Sequence, residues 1–242
     1  MATSTIPGMR KITRRRRLAI RVAAALGLAL AIWPLWVFGQ VWWLRGHDPR
    51  TTAFMEAGLE RLRARDPHAR LQHQWVPYAR IADPLKAAVV AAEDQRFVEH
   101  AGFDVVAIER AYETNARRGR VRHGGSTISQ QLAKNLFLSP RRSYLRKGRE
   151  AMITLMLEGV LGKRRILELY LNVIEWGDGV YGAEAAARYY FGVSAADLGP
   201  EDAALLAAVI PKARSYSHQP ITPYLEERRS ALLDQMEHVR IP

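Results

Sequence analysis

The sequence predicts a mainly α-helical domain preceded by a single transmembrane helix. Three observations lead there. An apolar run, "VAAALGLALAIWPLWVFGQVWWL", occupies residues 22–44 without a charge, directly behind a cluster of arginines. Beyond it, apolar residues recur at three- and four-residue steps, the spacing of a one-sided helix. No long alternating stretch of the kind a half-buried strand requires is present, and no internal repeat. With 242 residues the chain can form one domain with its own core. It has no cysteine, so neither disulfides nor thiolate metal sites enter.

Taken in order, residues 1–21 form a basic tail, expected in the cytoplasm. "RKITRRRRLAIR" carries seven Lys/Arg, and residues 1–47 hold eight with no Asp or Glu, so most of the net charge of +12 sits here. The 23 residues of the run 22–44 span about 35 Å as a helix, enough for a hydrocarbon core of roughly 30 Å. Trp42 and Trp43 fall where an interfacial belt belongs, and Arg21 can snorkel at the other end. The positive-inside rule then puts everything after Leu44 outside the cytoplasm. A signal peptide cleaved after "ALA" at 29–31 competes, but the apolar run continues well past that point. A span so close behind the arginines also argues against a nucleic-acid patch.

Residues 45–79 read as a linker and membrane-proximal segment, with a helix over Thr52–Arg65 and then irregular chain punctuated by Pro67 and Pro77. Residues 80–242 form the domain proper. Asp83-Pro84 opens a helix, with Asp83 as N-cap and Pro84 at N1. Leu85, Val89 and Ala92 give it a buried stripe, and Glu93 and Asp94 lie at its end. Further helices follow at "TISQQLAKNLFL", "LRKGREAMITLMLEGVL", "RRILELYLNVI", "AEAAARYYF", "PEDAALLAAVI" and "YLEERRSALLDQMEHV". A minor hairpin is the only strand structure expected.

Three clusters carry chemistry. In "EDQRFVEHAGFD", Glu93 follows small apolar residues, surroundings that raise a carboxyl pKa and make it a usable base. Asp94, His100 and Asp104 match no strong metal spacing and read better as groups that fix a loop. Phe97 reads as core and Gly102 as a turn residue. In "HGGSTISQQLAKN", Gly124 and Gly125 end a basic loop, and Thr127 with Gln130 fits a capping box. Ser126, Thr127, Gln130, Gln131, Lys134 and Asn135 form a polar ridge opposite Ile128, Leu132, Ala133 and Leu136. Hydroxyls, glycines and a lysine at a helix start suit an anion such as a phosphate. In "RKGRE", Glu150 sits beside Arg146 and Lys147 and heads a nearly apolar helix. Two carboxyls serve reactions at an anomeric carbon, and cations beside them suit a departing phosphate.

Those clusters, followed by "RRILELYLNVIEWGDGVYGAEAAARYYFG", occur in the order of the signature motifs of the peptidoglycan glycosyltransferases, the family of the glycosyltransferase domains of class A penicillin-binding proteins. The chain resembles the monofunctional members of that family over about residues 80–220. Ser129 stands where the family usually has Thr, and both supply a hydroxyl.

The resemblance implies a lysozyme-like bilobal glycosyltransferase domain that polymerises lipid II at the outer face of the cell inner membrane. The donor is a glycan on undecaprenyl diphosphate and the bond formed is β-1,4, with inversion. Glu93 is implied as the base. Glu150, Lys134 and Arg146 are implied at the leaving diphosphate, with Lys147 beside them. The substrate-facing set is Asp94, Phe97, His100, Gly125, Ser126, Thr127, Gln130, Gln131, Lys134, Asn135, Arg146 and Lys147, with no metal ligand among them. No cofactor is required, although a divalent cation, Mg or Mn, is compatible with the donor diphosphate. Partners are the bilayer, the two lipid-linked substrates and proteins of cell division or elongation. "LFLSP" at 136–140 is expected to dip into the membrane, and the loop of Arg117, Arg118, Arg120 and Arg122 to meet anionic headgroups or the diphosphate. A membrane-anchored lysozyme-like hydrolase and a non-catalytic precursor-binding scaffold are the alternatives.

Overall fold

The computed structural model describes residues 7–118, 125–141, 143–217 and 221–242; the side chains of residues 7–15, 23–26, 28–31, 115 and 118 lie outside it. The chain divides into two compact units, residues 1–40 and 41–242. The described part of the first lies in helix α1 (Pro7–Trp43), so from Pro7 on the basic tail is helical together with the apolar run. Among the described residues no helix is long and apolar enough to cross a membrane. Part of the expected span lies outside the described side chains.

The second unit is helical, with one small sheet. Helix α2 (Ala53–Arg63) begins at Thr52, whose hydroxyl accepts from Met55 N–H at 3.1 Å. After strand β1 (Gln72–His73) and one 3₁₀ turn comes α3 (Asp83–Glu93). Its N-cap is Ala82, not Asp83. Asp83 is the first helical residue and pairs instead with Lys86 at 2.7 Å. Helix α4 (Val105–Arg118) was not anticipated; Asp104 caps it, with Oδ1 accepting from Ala107 N–H. Then follow α5 (Ile128–Phe137), α6 (Tyr144–Val160), α7 (Lys163–Val173), the hairpin β2 (Glu175–Gly177) and β3 (Val180–Tyr181), α8 (Ala183–Phe191), α9 (Pro200–Val209), the short α10 (Ala213–Tyr216) and α11 (Pro223–Met236).

Two helix clusters result. In one, α3, α9 and α11 pack on one another. Ala88, Val89, Ala91, Ala203, Ala204, Ala207 and Ala208 are all buried there, and such short side chains let the helix axes approach closely. In the other, α5 packs against α2, α6 and α7. The sheet has the order β1-β3-β2, with β1 parallel and β2 antiparallel to β3.

The segment 45–79, expected as a linker, is folded into this unit. β1 takes its hydrogen bonds from β3, and Gly58 of α2 lies so close to the Tyr181 hydroxyl that a Cβ would sit 2.2 Å away. In the segment 136–140, Leu136 and Leu138 are packed into this unit, 8% and 4% exposed, while Phe137 is half-buried and Ser139 and Pro140 are exposed. Of the arginine loop, only the Arg117 side chain falls within the described residues.

Candidate active site

Glu93 is the last residue of α3, and Asp94 is its C-cap. Asp94 spends both carboxylate oxygens on structure. One accepts from His100 Nε2 at 2.8 Å and the other from Ile128 N–H at 3.0 Å, at the first turn of α5. One side chain thereby ties the end of α3 to the start of α5. Thr127 and Gln130 form the capping box read from the sequence, and the Thr127 hydroxyl also donates to Gly102 O at 2.7 Å. Gly102 has φ +93°, the left-handed region that favours glycine. Thr127, Gln130 and Asn135 are buried, so the polar ridge faces inward more than its residue types suggest. Ser129 is buried too and bonds Glu158, which Lys163 also holds.

The Glu93 carboxyl accepts from Gln131 Nε2 at 2.6 Å, and Gln131 Oε1 accepts from the Tyr170 hydroxyl at 3.0 Å. Tyr170 is fully buried, so the amide orientation is fixed from the core outward. Burial raises the Glu93 pKa; the Gln131 hydrogen bond, Arg228 and Lys134 act in the opposite direction. Burial likewise lowers the pKa of Lys134, while the nearby Glu150 and Glu93 carboxylates support its charge. The Lys134 ammonium is thus felt by both carboxylates.

Glu150 is 3% exposed, not a surface decoration. Arg146 donates to Oε2 at 3.1 Å and Lys147 bonds Oε1, which leaves a buried carboxylate between two cations.

Three cavities surround these groups. The first, 440 Å³, is lined by Glu93, Asp94, Gly125, Ser126, Thr127, Arg110 and Arg228, among others. The second, 380 Å³, is lined by Ser126, Gln130, Gln131, Lys134, Arg146, Lys147, Glu150 and Phe54. Ser126 belongs to both. A third, 500 Å³, shares Phe54, Gln131 and Lys134 with the second and adds Asn135, Tyr170, Lys212 and Arg214. Of the residues read from the sequence, Phe97 and His100 line none of the three. Phe97 is fully buried, His100 meets it edge-on at 6.5 Å, and Lys163 lies 4.5 Å over the Phe97 ring. Sequence reasoning did not find Phe54, Arg110, Arg228, Lys212 or Arg214. They come from elements distant in the chain; the only local signal of the four cations was charge on an otherwise ordinary helix or loop, and Phe54 had none.

The ligand atoms of Asp94, His100 and Asp104 lie within 4.8 Å of one another, close enough to hold a metal ion. Each is already engaged, however. Gly102 N–H donates to His100 Nδ1, which leaves the Nε2 proton for Asp94, and Asp104 Oδ1 takes Ala107 N–H and Arg96. No imidazole lone pair remains for a metal while these bonds stand. At Glu150 both oxygens are held by cations, a donor set suited to an anion rather than to a divalent ion.

Comparison with known proteins gives the family. The transglycosylase family model matches residues 60–237. A biosynthetic peptidoglycan transglycosylase of Thiobacillus denitrificans is 56% identical over 221 residues, which cover 91% of this chain and 95% of the relative. Those of Azoarcus sp. and Bordetella pertussis are each 52% identical, over 94% and 97% of this chain and 97% and 100% of the relatives. The chain belongs to the transglycosylase family.

Proposed function

We propose that the chain is a peptidoglycan glycosyltransferase that polymerises lipid II into glycan strands for the cell wall. The observation that carries this reading is the pair of adjoining cavities that share Ser126. A carboxylate of raised pKa opens into one, and a cation-flanked carboxylate into the other.

The acceptor sugar occupies the Glu93 cavity and the donor diphosphate the Glu150 cavity. Glu93 takes the proton of the acceptor 4-hydroxyl as that oxygen bonds the donor anomeric carbon. The bond from that carbon to the diphosphate oxygen breaks with the electron pair leaving on the diphosphate, and configuration inverts. Lys134, Arg146 and Lys147 face the emerging charge. Glu150 keeps the last two in place, and Gln131, held by Tyr170, aims the Glu93 carboxylate. Asp94 and His100 hold the loop behind the base. A divalent cation, where present at the diphosphate, would add positive charge there; the lysine and arginine set supplies that charge from the protein itself. Helix α1, with its basic start and apolar run, anchors the domain in the cell inner membrane, where both lipid-linked substrates reside.

The test is purified protein with labelled lipid II, wild type against Glu93→Gln, with and without divalent ions. Wild type should give long glycan chains, and Glu93→Gln should lose about 100-fold or more of the rate. A variant that keeps its rate would remove Glu93 as the base. Release of short fragments from finished wall by the wild type would favour a hydrolase instead.

A further inference from the structure

Arg165 of α7 takes no part in the reaction as described, yet its guanidinium is held on every side. Nε donates to Leu44 O at 2.9 Å and one terminal nitrogen to Glu168 Oε2 at 2.7 Å. The other donates to His47 O at 2.7 Å and to Asp48 Oδ1 at 2.8 Å. Apart from Glu168, these acceptors lie directly behind the end of α1. Val41 and Leu44 are buried, so the last turn of α1 is built into the second unit. A helix leaves its final carbonyls without partners, and positive charge is favoured at that end. Arg45 and Gly46 N–H donate to Trp42 O and Trp43 O. Leu44 O and His47 O receive theirs from Arg165, on a helix distant in the chain.

The same helix also grips the segment 76–78 and the base. Glu168 accepts from Tyr78 N–H at 2.7 Å, and Asn172 bonds both Val76 N–H and Val76 O. Tyr170 holds Gln131 against Glu93. Helix α7 therefore connects the chain's entry into this unit with the reacting carboxylate. We infer that Arg165 is a positioning residue, which locks residues 44–48 to α7 and so holds Glu93 at a set distance from the point where the anchor enters. Substrates confined to a bilayer then meet the site at one depth. The inference rests on the readings of α1 as an anchor and of the chain as a lipid II polymerase. Without the guanidinium, residues 44–51 become a slack tether with an r.m.s. span of about 16 Å, which dilutes the site relative to its substrates.

The test compares full-length wild type, Arg165→Gln, Arg165→Lys and Asp48→Asn on lipid II in detergent micelles and in bilayer vesicles. Melting curves and vesicle flotation accompany each. Arg165→Gln should stay within about twofold of wild type in detergent and lose about three- to tenfold on vesicles, while still floating with them. Arg165→Lys should lose nearly as much, because one ammonium does not replace a planar fork that reaches separated acceptors. Asp48 is exposed, so Asp48→Asn leaves the fold intact and should show a smaller loss confined to vesicles. That variant decides the matter if Arg165→Gln melts too low to assay. Equal losses in both formats would assign Arg165 to stability alone, and no loss in either would mean that the junction holds without it. Each of these results overturns the inference. A wild type that polymerises lipid II without floating with vesicles would sink the anchor reading, and one that makes no polymer the glycosyltransferase reading; either takes the inference with it.

Discussion

Glu93 shows how far one residue can be read and where reading stops. Its place at the end of an alanine-rich helix was legible, because small apolar neighbours in the sequence become a desolvated carboxyl in the fold. The groups that tune it were not legible. Gln131 is aimed by Tyr170 of α7, and Arg228 arrives from the last helix of the chain, so neither relation has a local signature. The raised pKa has a consequence for stability. The folded protein binds this proton more tightly than the unfolded chain does. The stability Glu93 contributes is therefore fully present below its ordinary value of 4.5 and is lost as pH rises through the folded value. Glu93→Gln removes that loss and keeps an acceptor for Gln131. We predict a variant that is inactive yet melts higher than wild type near neutrality, by about 2–4 °C for each kcal/mol gained. The gap should close toward about pH 4, and melting curves across pH read it. Tyr170→Phe frees the Gln131 amide to turn. The Glu93 pKa then rises further, and the acid limb of the rate profile should move to higher pH with a loss of about three- to tenfold at neutrality. An unmoved limb would mean that Tyr170 serves packing alone.

At the scale of elements, the long helices that bury a face were legible, whereas α4 and the four-residue α10 were missed. Ala203–Val209 and Ile166–Val173 are buried almost continuously, so their apolar runs marked them in the sequence. In α4, Val105, Val106, Ile108 and Tyr112 remain exposed, so its few apolar residues fail to outline a core-facing stripe. The N-terminus of α5 is the element junction on which the site depends. Thr127→Ala removes both the cap of Gln130 N–H and the bond to Gly102 O. It should cost about 1–2 kcal/mol, a fall in Tm of about 2–8 °C, whereas Thr127→Ser keeps the hydroxyl and most of the stability. The hairpin offers a sharper test. Gly182 has φ +83°, and a Cβ there would lie 2.7 Å from Asn172 O, while Gly192 has φ +72° with open space around it. Gly182→Ala combines strain with a clash against backbone and should cost about 3 kcal/mol or more. Gly192→Ala carries strain alone, about 1–2 kcal/mol. Equal losses in denaturant titration would show that the tight contact at Gly182 is absent in solution.

For the whole molecule, the division at residue 40 puts the proposed membrane anchor in one unit and the candidate site in the other. Residues 41–242 hold both carboxylates, all three cavities and every ion pair that shapes them, whereas residues 1–40 hold the arginine cluster and most of the apolar run. Chemistry and membrane attachment should therefore come apart when the first unit is removed. Lipid-linked donor and acceptor diffuse in a plane, and an anchored domain meets them at the high effective concentration that tethering supplies. A chain lacking residues 1–40 keeps the site but must first bind the bilayer from bulk water. On detergent-solubilised lipid II the two forms should polymerise at rates within about twofold, since no tether operates there. On lipid II in bilayer vesicles the truncated form should fall behind by about 100-fold, at the lower end of what linkage of two binding events provides. Added salt should widen the gap if the remaining attraction comes from the basic groups of the second unit meeting anionic headgroups. Equal rates on vesicles would mean that the catalytic unit holds the membrane by itself, and that α1 serves a role other than delivery of the site to its substrates.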